Sequence, residues 1–468
     1  PFFAKVVLLE ADFLHEGGDV NLKFGGNISM QARPQLVGDW IARYSGEDTS
    51  SFNLGSFGTN WAINILRFNQ GVGALGGGDI RVKAGGDISD LGIVIPTNGL
   101  AVAPGSQPDV TGGGDISVHA DGDVLGGVFY AADGYLSIRS AGSLRRSEAT
   151  NNGVILAGGN THFDLQAKQD IVIGGVIDPF LLPISSSQGG LDFLGVPQAR
   201  PTQVFWTSYA GTAGVNVESL SGDIVLGVDN LALDGISPEI NIRDNGSLTT
   251  ASILPPSFEA TAYSGSVLFS DPLIFYPNSQ SQFRIFANQD IRNDGTIEIA
   301  SINFSDAEPS LLPNIDSIAN DISDFVGRVG NFDNLIPNSH ADTPIHVNDT
   351  EPVLFVAREG LIGAGGNDIL SISLAKQAQL IAGQNIRNLS LNVQHANDGD
   401  TSLLYAGNDI LYPVSRSDSG VIQDSSRSSI VAAGPGTLIV SAGRDIDLGN
   451  SEGITSIGNA RNFNLPER

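Results

Sequence analysis

The sequence predicts an all-β protein, a right-handed parallel β-helix, on three observations. A Gly-Asp-Ile phrase recurs along the chain, and it occurs twice within GGGDIRVKAGGDIS from Gly76 to Ser89. The residues after each phrase alternate between apolar and polar, as in a strand with one buried side. Helical periodicity is nearly absent outside one segment. A degenerate unit that recurs over a whole chain indicates a repeat architecture, and strand periodicity within the unit indicates a β-solenoid.

Each Gly-Asp-Ile phrase is predicted to be a turn followed by the first inward residue of a strand. Ile80, Val82 and Ala84 alternate with Arg81 and Lys83, which is the pattern of a half-buried strand. Glycine reaches positive φ at a corner, and Asp bonds its own backbone two residues on. The turn residues assigned in this way are Asp79, Asp87, Asp115, Asp123, Asp223, Asp368, Asp409 and Asp445.

The spacing of the phrases predicts how the chain closes into coils. Eight residues lead from Asp79 to Asp87, and they cover about 26 Å when extended, one side of a coil rather than a circuit. We expect these carboxylates at neighbouring corners of one coil, so that like charges do not stack at the ~4.8 Å spacing of coils. At roughly 20 to 27 residues a coil, the chain would make about 20 coils and a rod near 90 Å long. Right-handed winding follows the rule for parallel crossovers, and the short loops typical of hairpin meanders are sparse.

Two segments interrupt the alternation. The first is rich in proline and aromatic residues, and the second contains the one convincing helical pattern, from Ser310 to Phe332. Segments of this size carry function on many repeat scaffolds, although each can equally cover an exposed apolar strip. The predicted parts of this one continuous solenoid are a shaft at 1–177, a looped insertion at 178–214, a shaft at 215–304, an insertion with a short helix at 305–350 and a shaft at 351–468.

Composition limits the classes of function. The 468 residues include 24 basic and 51 acidic ones, a formal charge of −27, which argues against binding nucleic acid or an anionic membrane. The absence of cysteine excludes disulfides, zinc–thiolate sites and a thiol nucleophile. No apolar run approaches the roughly 20 residues of a transmembrane segment. The opening lacks the features of a signal peptide, so we expect the numbering to begin inside a longer polypeptide.

No pattern in the sequence predicts catalysis, a cofactor or a metal ion. His340, Asp342, His346 and Asp349 lie within ten residues, but their spacing matches no closed zinc site. The Gly-Asp phrases differ from calcium-binding nonapeptide repeats because an apolar residue follows each Asp at once. Polysaccharide-cleaving enzymes use paired carboxylates, and the two Asp-Gly-Asp sequences of this chain are explained as turns. We therefore predict no enzyme and no cofactor.

Five aromatic residues in the segments that break the alternation are candidate contacts for a carbohydrate. Aromatic rings combine a large apolar face with a polar edge, which suits them to partly wet binding surfaces. The competing interpretation is that the rings anchor loops onto the rod. The candidates are Trp40, Tyr44, Trp61, Trp206 and Tyr209.

Several phrases resemble the large exoproteins of the filamentous haemagglutinin family. They are AGGDIS, SGDIVLG, AGNDIL, SAGRDIDLGNSEGITSIGNARNFNLPE, and the stretch YSGSVLFSDPLIFYPNSQSQFRIFANQDI from Tyr263 to Ile291. The resemblance covers the chain apart from the two insertions. It implies a β-helical shaft, export by an outer-membrane two-partner secretion transporter, a place in the secreted or cell-surface fraction of a bacterium, and adhesion or biofilm assembly. The Asn-Pro-Asn motif of the family's secretion domain is absent, which fits a fragment.

The favoured function is therefore a structural and binding segment of a secreted bacterial surface adhesin. Its ligand would be matrix polysaccharide, another carbohydrate or a cell-surface receptor. Two alternatives stay open: the shaft of a contact-dependent toxin-delivery protein, and a β-helical enzyme that acts on polysaccharide. A toxic domain in the gene product beyond Arg468 would distinguish the first alternative from an adhesin. Polymer turnover that a single Asp substitution abolishes would establish the second.

Overall fold

The structure is a computed structural model, and it shows an all-β chain. It describes residues 14–31, 41–46, 57–63, 65, 68, 71–100, 107–181, 206–227, 240–244, 247–312, 314, 339–413 and 428–467. Within these residues, the helical elements are two 3₁₀ turns, Pro179–Leu181 and Pro309–Leu311. Most of the helix predicted from Ser310 to Phe332 lies outside the described residues. No described helix is long and apolar enough to cross a membrane.

The strands form three walls of parallel strands, and successive coils of the chain contribute one strand to each wall. The two long strands Val128–Ser140 and Val154–Ala167 each continue from wall 3 into wall 1. The strand Ile171–Ile177 continues from wall 2 into wall 3. Wall 1 contains Val20–Phe24, Ile80–Ala84, Ile116–Ala120, the second halves of Val128–Ser140 and Val154–Ala167, Gly214–Ser219, Ser257–Ala262, Phe283–Ala287, Val353–Ala357, Ala378–Ala382, Thr401–Ala406 and Thr437–Ala442.

The other two walls have shorter strands. Wall 2 contains Ile28–Ser29, Ile88–Ser89, Val124–Leu125, Leu144–Arg145, the start of Ile171–Ile177, Ile224–Leu226, Val267–Phe269, Ile291–Asn293, Ile362–Gly363, Ile386–Arg387, Ile410–Leu411 and Ile446–Asp447. Wall 3 contains Val72–Gly73, Gly92–Ile95, the first halves of Val128–Ser140 and Val154–Ala167, the end of Ile171–Ile177, the end of Ser247–Leu254, Leu273–Phe275, Ile299–Phe304, Ile369–Leu374, Leu389–Gln394, Ile430–Ala433 and Ile454–Gly458.

Pairing between coils keeps a constant register in wall 1, whereas two pairings in wall 3 contain a register shift. In wall 1, Ile80 pairs with Val20 on one side and Ile116 on the other, and all three strands run parallel. Asp115 and Tyr135 occupy adjacent coils 20 residues apart, which agrees with the predicted coil length. Alternation of buried and exposed residues along Ile80–Ala84 sends one set of side chains inward. The parallel β-solenoid predicted from the repeated phrases is therefore present.

The number of coils is smaller than the sequence suggests. Wall 1 has twelve strands, so the chain makes twelve described coils, not about 20, and the stack is roughly 50 Å long. Residues that are neighbours on adjacent coils can be far apart in the chain: Asp290 and Leu361 are in contact but lie 71 residues apart. The repeated phrases show where coils lie in the sequence. The number of residues between two phrases does not show how many of them belong to the walls.

Inward side chains form one continuous core through the stack. The middle of this core is aromatic: the Phe283 ring lies 5.7 Å from Phe258, 4.8 Å from Phe275 and 5.4 Å from Phe355, measured between centroids. All four rings are fully buried. Each buried side chain of this size contributes roughly 1.5–3 kcal/mol before conformational entropy is subtracted. The stack therefore rests on contacts between neighbouring coils.

Acidic side chains of successive coils stack along the corners. At the corner before wall 1, the Asp79 backbone N–H donates to Asp19 Oδ1 (3.0 Å), the Asp115 N–H donates to Asp79 Oδ1 (3.0 Å), and the Tyr135 N–H donates to Asp115 Oδ1 (2.8 Å). Arg81 pairs with Asp79 at 2.6 Å. Each carboxylate thus accepts a hydrogen bond from the backbone of the next coil.

The corner before wall 2 repeats this arrangement. The Asp87 N–H donates to Asn27 Oδ1 (2.9 Å), and the Asp123 N–H donates to Asp87 Oδ1 (2.8 Å). Further along, the Asp223 N–H donates to Asp170 (2.9 Å). All eight aspartates predicted as turn residues lie directly before a strand. We call the two series of side-chain to backbone bonds the corner ladders.

The corner ladders overturn one expectation. Asp79 and Asp87 occupy neighbouring corners of one coil as predicted, but carboxylates of successive coils do stack. A hydrogen bond to a charged acceptor is worth about 1.5–3 kcal/mol. Repulsion between two carboxylates at about 5 Å in a watery setting is near 1 kcal/mol or less. The backbone donor therefore outweighs the like charge, and arginines such as Arg145, 2.5 Å from Asp123, reduce the repulsion further.

Additional strands lie outside the walls. Four of them form an antiparallel sheet, and one pairs with the start of Ser247–Leu254 as a hairpin. The sequence carries a signal for the hairpin, because the pair Asn245-Gly246, which marks a two-residue loop, lies between Ile240–Asp244 and Ser247–Leu254. The strands of the antiparallel sheet are joined by longer segments and have no such marker. The outlying strands are Ile41–Gly46, Phe57–Ile63, Thr97–Leu100, Asp109–Gly112 and Ile240–Asp244.

Candidate functional site: the covered wall and its polar cavity

The outer side of wall 3 is covered by a second layer of the chain, and that layer changes character along the stack. Near the first coils, outward residues such as Tyr130 and Ile155 pack under Trp61, Phe180 and Trp206 in an apolar cluster. A second apolar cluster follows over the middle coils. Over the later coils, the wall presents polar residues instead. The transition from apolar to polar locates the candidate site.

Three of the five predicted carbohydrate contacts lie inside the apolar clusters. Trp61 is 1% exposed and Trp206 0% exposed. The Phe180 ring lies 5.6 Å from Trp61 and 4.9 Å from Trp206. The buried Tyr209 hydroxyl donates to the Ile253 carbonyl at 3.0 Å, and burial raises the pKa of Tyr209 well above its usual value. These rings anchor excursions onto the wall and present no face to a sugar.

The structure does not describe the side chains of the other two candidate contacts. Trp40 lies outside the described residues, and the Tyr44 side chain does as well, although its backbone belongs to the strand Ile41–Gly46. Both therefore stay predictions. Burial removed the other three for a reason that sequence alone does not show: aromatic residues in an irregular segment serve equally as loop anchors, and only packing decides between the two roles.

A small polar cavity lies against the outer side of wall 3. Outward positions of its strands carry Ser373, Asn392 and Gln394, because alternate residues of a strand face opposite sides. The segment that leaves the wall after Phe304 closes the cavity from outside. The lining consists of Asn303, Phe304, Ser305, Asp306, Ser373, Leu374, Asn392 and Gln394.

Asp306 connects three distant parts of the chain at this cavity. Its Oδ1 lies 2.8 Å from His340 Nδ1, and its backbone carbonyl accepts from the Ala341 N–H at 2.9 Å. Asn462 Nδ2 donates to Gln394 Oε1 at 2.8 Å and reaches Asp306 Oδ2 at 3.3 Å. Asp306, Gln394 and Asn462 are all buried. The cluster therefore fastens the returning insertion and the C-terminal segment to wall 3.

A second buried network lies on the other side of Phe304. Lys376 Nζ is 2.5 Å from Asp349 Oδ2 and donates to the Ser281 carbonyl at 3.0 Å. His346 Nδ1 is 3.2 Å from the same carboxylate oxygen, and its ring stacks on Phe304 at 5.2 Å. The network joins the loops before two wall-1 strands to the corner that carries Lys376.

The pKa values in this second network follow from burial and charge. Burial alone would raise the pKa of the Asp349 carboxyl, but bonds from His346 and Lys376 lower it to about 2. Burial lowers the pKa of Lys376 and of His346 from their usual values, against the attraction of Asp349. Asp349 is therefore ionised and His346 neutral near pH 7.

The four residues weighed as metal ligands separate into different contacts. His340 pairs with Asp306, whereas His346 and Asp349 belong to the network with Lys376. Asp342 is exposed. Among the residues that the structure describes, no group of three or more His, Asp or Glu side chains is placed to hold a metal ion.

The chemistry open to this site is limited by what surrounds His340. Asp306 Oδ1 lies beside His340 Nδ1, and a carboxyl group in that position orients an imidazole ring. Nε2 of His340 is buried without a hydrogen-bond partner, so no described hydroxyl is placed beside it as a nucleophile. The nearby Ser305 Oγ accepts from the Ala307 N–H at 3.1 Å. The arrangement holds segments together and contains no described nucleophile–base pair.

Sequence reasoning missed Lys376, Gln394 and Asn462. Asn462 and Asp306 are 156 residues apart, and no local pattern reports such a contact. One signal was available: the outward positions of Leu389–Gln394 are all polar, namely Ser390, Asn392 and Gln394, which indicates a polar environment beside that wall.

Comparison with known proteins adds no relative: no protein-family profile, no curated protein and no solved structure matches this chain.

Proposed function

We propose that this chain is a shaft segment of a secreted bacterial surface adhesin that attaches to cells, surfaces or biofilm matrix polysaccharide. The observation that carries the proposal is the stack of twelve parallel coils around one continuous core. A solenoid in which each coil contacts only its neighbours grows along one axis, and it holds a binding surface away from its point of attachment. The proposed winding is right-handed, as in nearly all parallel crossovers.

The contacts along the stack suit a load-bearing rod. Wall strands pair through backbone hydrogen bonds, and the corner ladders add a side-chain bond between coils. The excursions are fastened to wall 3 by buried aromatic rings and by the Asp306 cluster. The covering layer that the structure describes lies over wall 3, and described outward residues of wall 1 such as Tyr405 are exposed to a ligand. The proposed ligands are matrix polysaccharide, another carbohydrate or a cell-surface receptor, with Trp40 and Tyr44 as the remaining candidate contacts.

The proposed route to the cell surface is export by an outer-membrane two-partner secretion transporter. It rests on the resemblance of the Gly-Asp-Ile phrases to filamentous haemagglutinin-like exoproteins. Two properties of the chain are compatible with it: there is no cysteine to form a disulfide before export, and the formal charge of −27 keeps an extracellular rod soluble.

The two alternatives predict different observations. The shaft of a contact-dependent toxin-delivery protein would be followed, beyond Arg468 in the gene product, by a toxic domain. An enzyme acting on polysaccharide would release reducing ends, and the Asp306→Asn variant would abolish that release, since Asp306 carries the buried carboxylate beside the cavity.

The experiment that tests the proposal measures binding and turnover together. The purified chain is incubated with bacterial and host cells and with an array of matrix polysaccharides, and bound protein and reducing ends are both quantified. Saturable binding without turnover, with rods roughly 50 Å long in electron micrographs, is the expected result. Turnover of any polymer, or no binding to any cell or polymer, contradicts the proposal. Asp306→Asn is the control that separates binding from hydrolysis.

A further inference from the structure

The outer side of wall 1 becomes apolar over the last four coils. Outward residues of successive strands stack in two columns, and the pairing places Leu354, Gln379, Leu403 and Ile439 in one of them. The second column contains Val356, Ile381, Tyr405 and Ser441. We call Leu354, Val356, Ile381, Leu403, Tyr405 and Ile439 the apolar stripe.

The apolar stripe is accessible and carries no charge. Tyr405 is 39% exposed and Ile439 46% exposed, while the other four side chains are half-buried beside their column neighbours. The four wall-1 strands that carry the stripe, from Val353–Ala357 to Thr437–Ala442, contain no Asp, Glu, Lys, Arg or His. Each of the eight wall-1 strands before them contains a charged residue or a histidine, so the charge-free exterior distinguishes the last four coils. Contiguous exposed apolar surface of this kind marks an interaction site.

The apolar outer side of wall 3 is covered, unlike the apolar stripe of wall 1. There, apolar outward residues such as Tyr130 and Ile155 lie under a second layer built by the chain itself. Tyr405 and Ile439 are exposed, so none of the residues that the structure describes covers that end of the stripe on wall 1. Within the described part of the chain, a second layer therefore covers the apolar outer side of wall 3, and none covers the apolar stripe of wall 1.

We propose that the apolar stripe is a lateral contact between two copies of this chain. Two copies that each carry a formal charge of −27 repel one another, and they approach most easily where neither presents a charge. A basic partner would instead be drawn to the acidic surfaces outside the stripe. The walls of two copies pack face to face at about 10 Å, as in stacked sheets, and a two-fold axis through the stripe makes the surface self-complementary.

The size of the stripe predicts a weak contact. Four strands about 4.8 Å apart and five residues long make a face on the order of 300 Å² for each copy. Two copies would bury about 600 Å², below the roughly 1,200 Å² of a stable interface. The contact is therefore reversible and weaker than micromolar, and it becomes effective where many rods are held close together. It goes beyond the proposed shaft function, because a rod that stays monomeric would still present a ligand-binding surface.

Analytical ultracentrifugation of the full chain between roughly 10 and 500 µM tests the contact. We expect the average mass to rise toward that of a dimer at the upper end, and the Ile381→Gln/Leu403→Gln variant to stay monomeric. The matched control, His119→Gln/Thr261→Gln, changes outward residues of the same wall outside the stripe and should associate like the wild type. Circular dichroism verifies that both variants fold. Added salt should strengthen association, because it screens the repulsion between acidic copies.

A crosslinking experiment locates the contact independently. The chain contains no cysteine, so a single introduced thiol reports without background. Leu403→Cys should give a covalent dimer with a bifunctional maleimide at high protein concentration, and Thr261→Cys should not. A wild type that remains monomeric at every concentration overturns the proposal. Equal association of wild type and stripe variant, or crosslinking through Thr261→Cys alone, overturns it as well.

Discussion

The first eight and the last four coils have the same interior and opposite exteriors on wall 1. Every wall-1 strand of the first eight coils carries a charged residue or a histidine on its outer side, and ion pairs join neighbouring coils. Arg139 lies 3.2 Å from Asp164, and Arg284 lies 3.0 Å from Glu259. The last four strands carry the apolar stripe in the same register. Inward residues therefore determine the coil, while outward residues vary without disturbing it.

The comparison separates what maintains this fold from what distinguishes its regions. Exposed ion pairs such as Arg284–Glu259 contribute roughly 0–1 kcal/mol each, so losing them over four coils has little effect on stability. Replacing the outward residues of a strand thus changes the free energy of unfolding little. We therefore expect the functional differences between regions of the stack to lie in their outward residues.

The largest effect is expected where inward and outward residues of one strand are compared. Phe283 and Phe286 lie on the strand Phe283–Ala287, the first facing the aromatic core and the second facing outward. Phe283→Ala should lower the free energy of unfolding by about 3–5 kcal/mol, because it leaves a cavity among packed rings. Phe286→Ala should lower it by less than about 1 kcal/mol. Urea unfolding measures both; equal losses would contradict the claim that the interior alone determines the coil.

The next effect concerns the junction between the two regions, where Asp349 and Lys376 form their buried pair. Asp349→Asn should lower the free energy of unfolding by about 3 kcal/mol, because the buried ammonium of Lys376, 2% exposed, loses its carboxylate partner and retains the neutral Ser281 carbonyl. Asp342→Asn, at an exposed site, is the control and should have no measurable effect.

The same pair predicts a pH dependence. The pKa of Asp349 is about 2 in the folded chain and near 3.8 otherwise, so its stabilisation is complete above about pH 5 and is lost as pH falls from 4 toward 2. Burial lowers the pKa of His346 in the folded chain below its usual value of 6.5. The unfolded chain therefore takes up this proton first, and stability already begins to fall as the pH drops below about 6.5, before Asp349 titrates. Urea midpoints from pH 7 to pH 3 should fall for the wild type. The step below pH 4 should be smaller in Asp349→Asn; an unchanged step would contradict the assignment.

A smaller effect is expected from the corner ladders. Asp223→Ala removes the acceptor of the Ser266 N–H, 2.7 Å away, and should lower the free energy of unfolding by about 1–2 kcal/mol. Asp223→Asn retains an acceptor oxygen and should recover most of this loss. Thermal unfolding of the two variants, with exposed Asp398→Ala as control, decides whether the hydrogen bond or the charge stabilises the corner.

The smallest effect tests the exterior itself. Arg139→Gln breaks the ion pair with Asp164 on the outer side of wall 1, and we expect a change below about 1 kcal/mol, smaller still in high salt. A loss above about 2 kcal/mol would mean that the exterior of the first coils supports the fold, and the contrast between the two regions would not hold.

Sequence reasoning predicted the repeating part of this structure well and its cover poorly. The alternation after Gly-Asp phrases is local, so Ile80–Ala84 and its relatives could be assigned as strands with one buried side. The number of coils, the antiparallel sheet and the burial of Trp61 and Trp206 depend on where long excursions return, which local patterns do not report. The corner ladders were not predicted for another reason. Repulsion between like charges argues against stacked carboxylates, but each carboxylate also accepts a hydrogen bond from the backbone of the next coil, which outweighs that repulsion.

The corner ladders also give the stack a chemical polarity. In every such bond described above, a side-chain oxygen of one coil accepts from the backbone of the coil that follows it in the chain, as Asp19 does for Asp79 and the Asn27 amide does for Asp87. Asp409 accepts from Asp445 in the same sense near the other end of the stack. Each coil therefore presents oxygen acceptors toward the next coil and backbone N–H donors toward the previous one, so the two ends of the stack offer different hydrogen-bonding groups to any strand that pairs there.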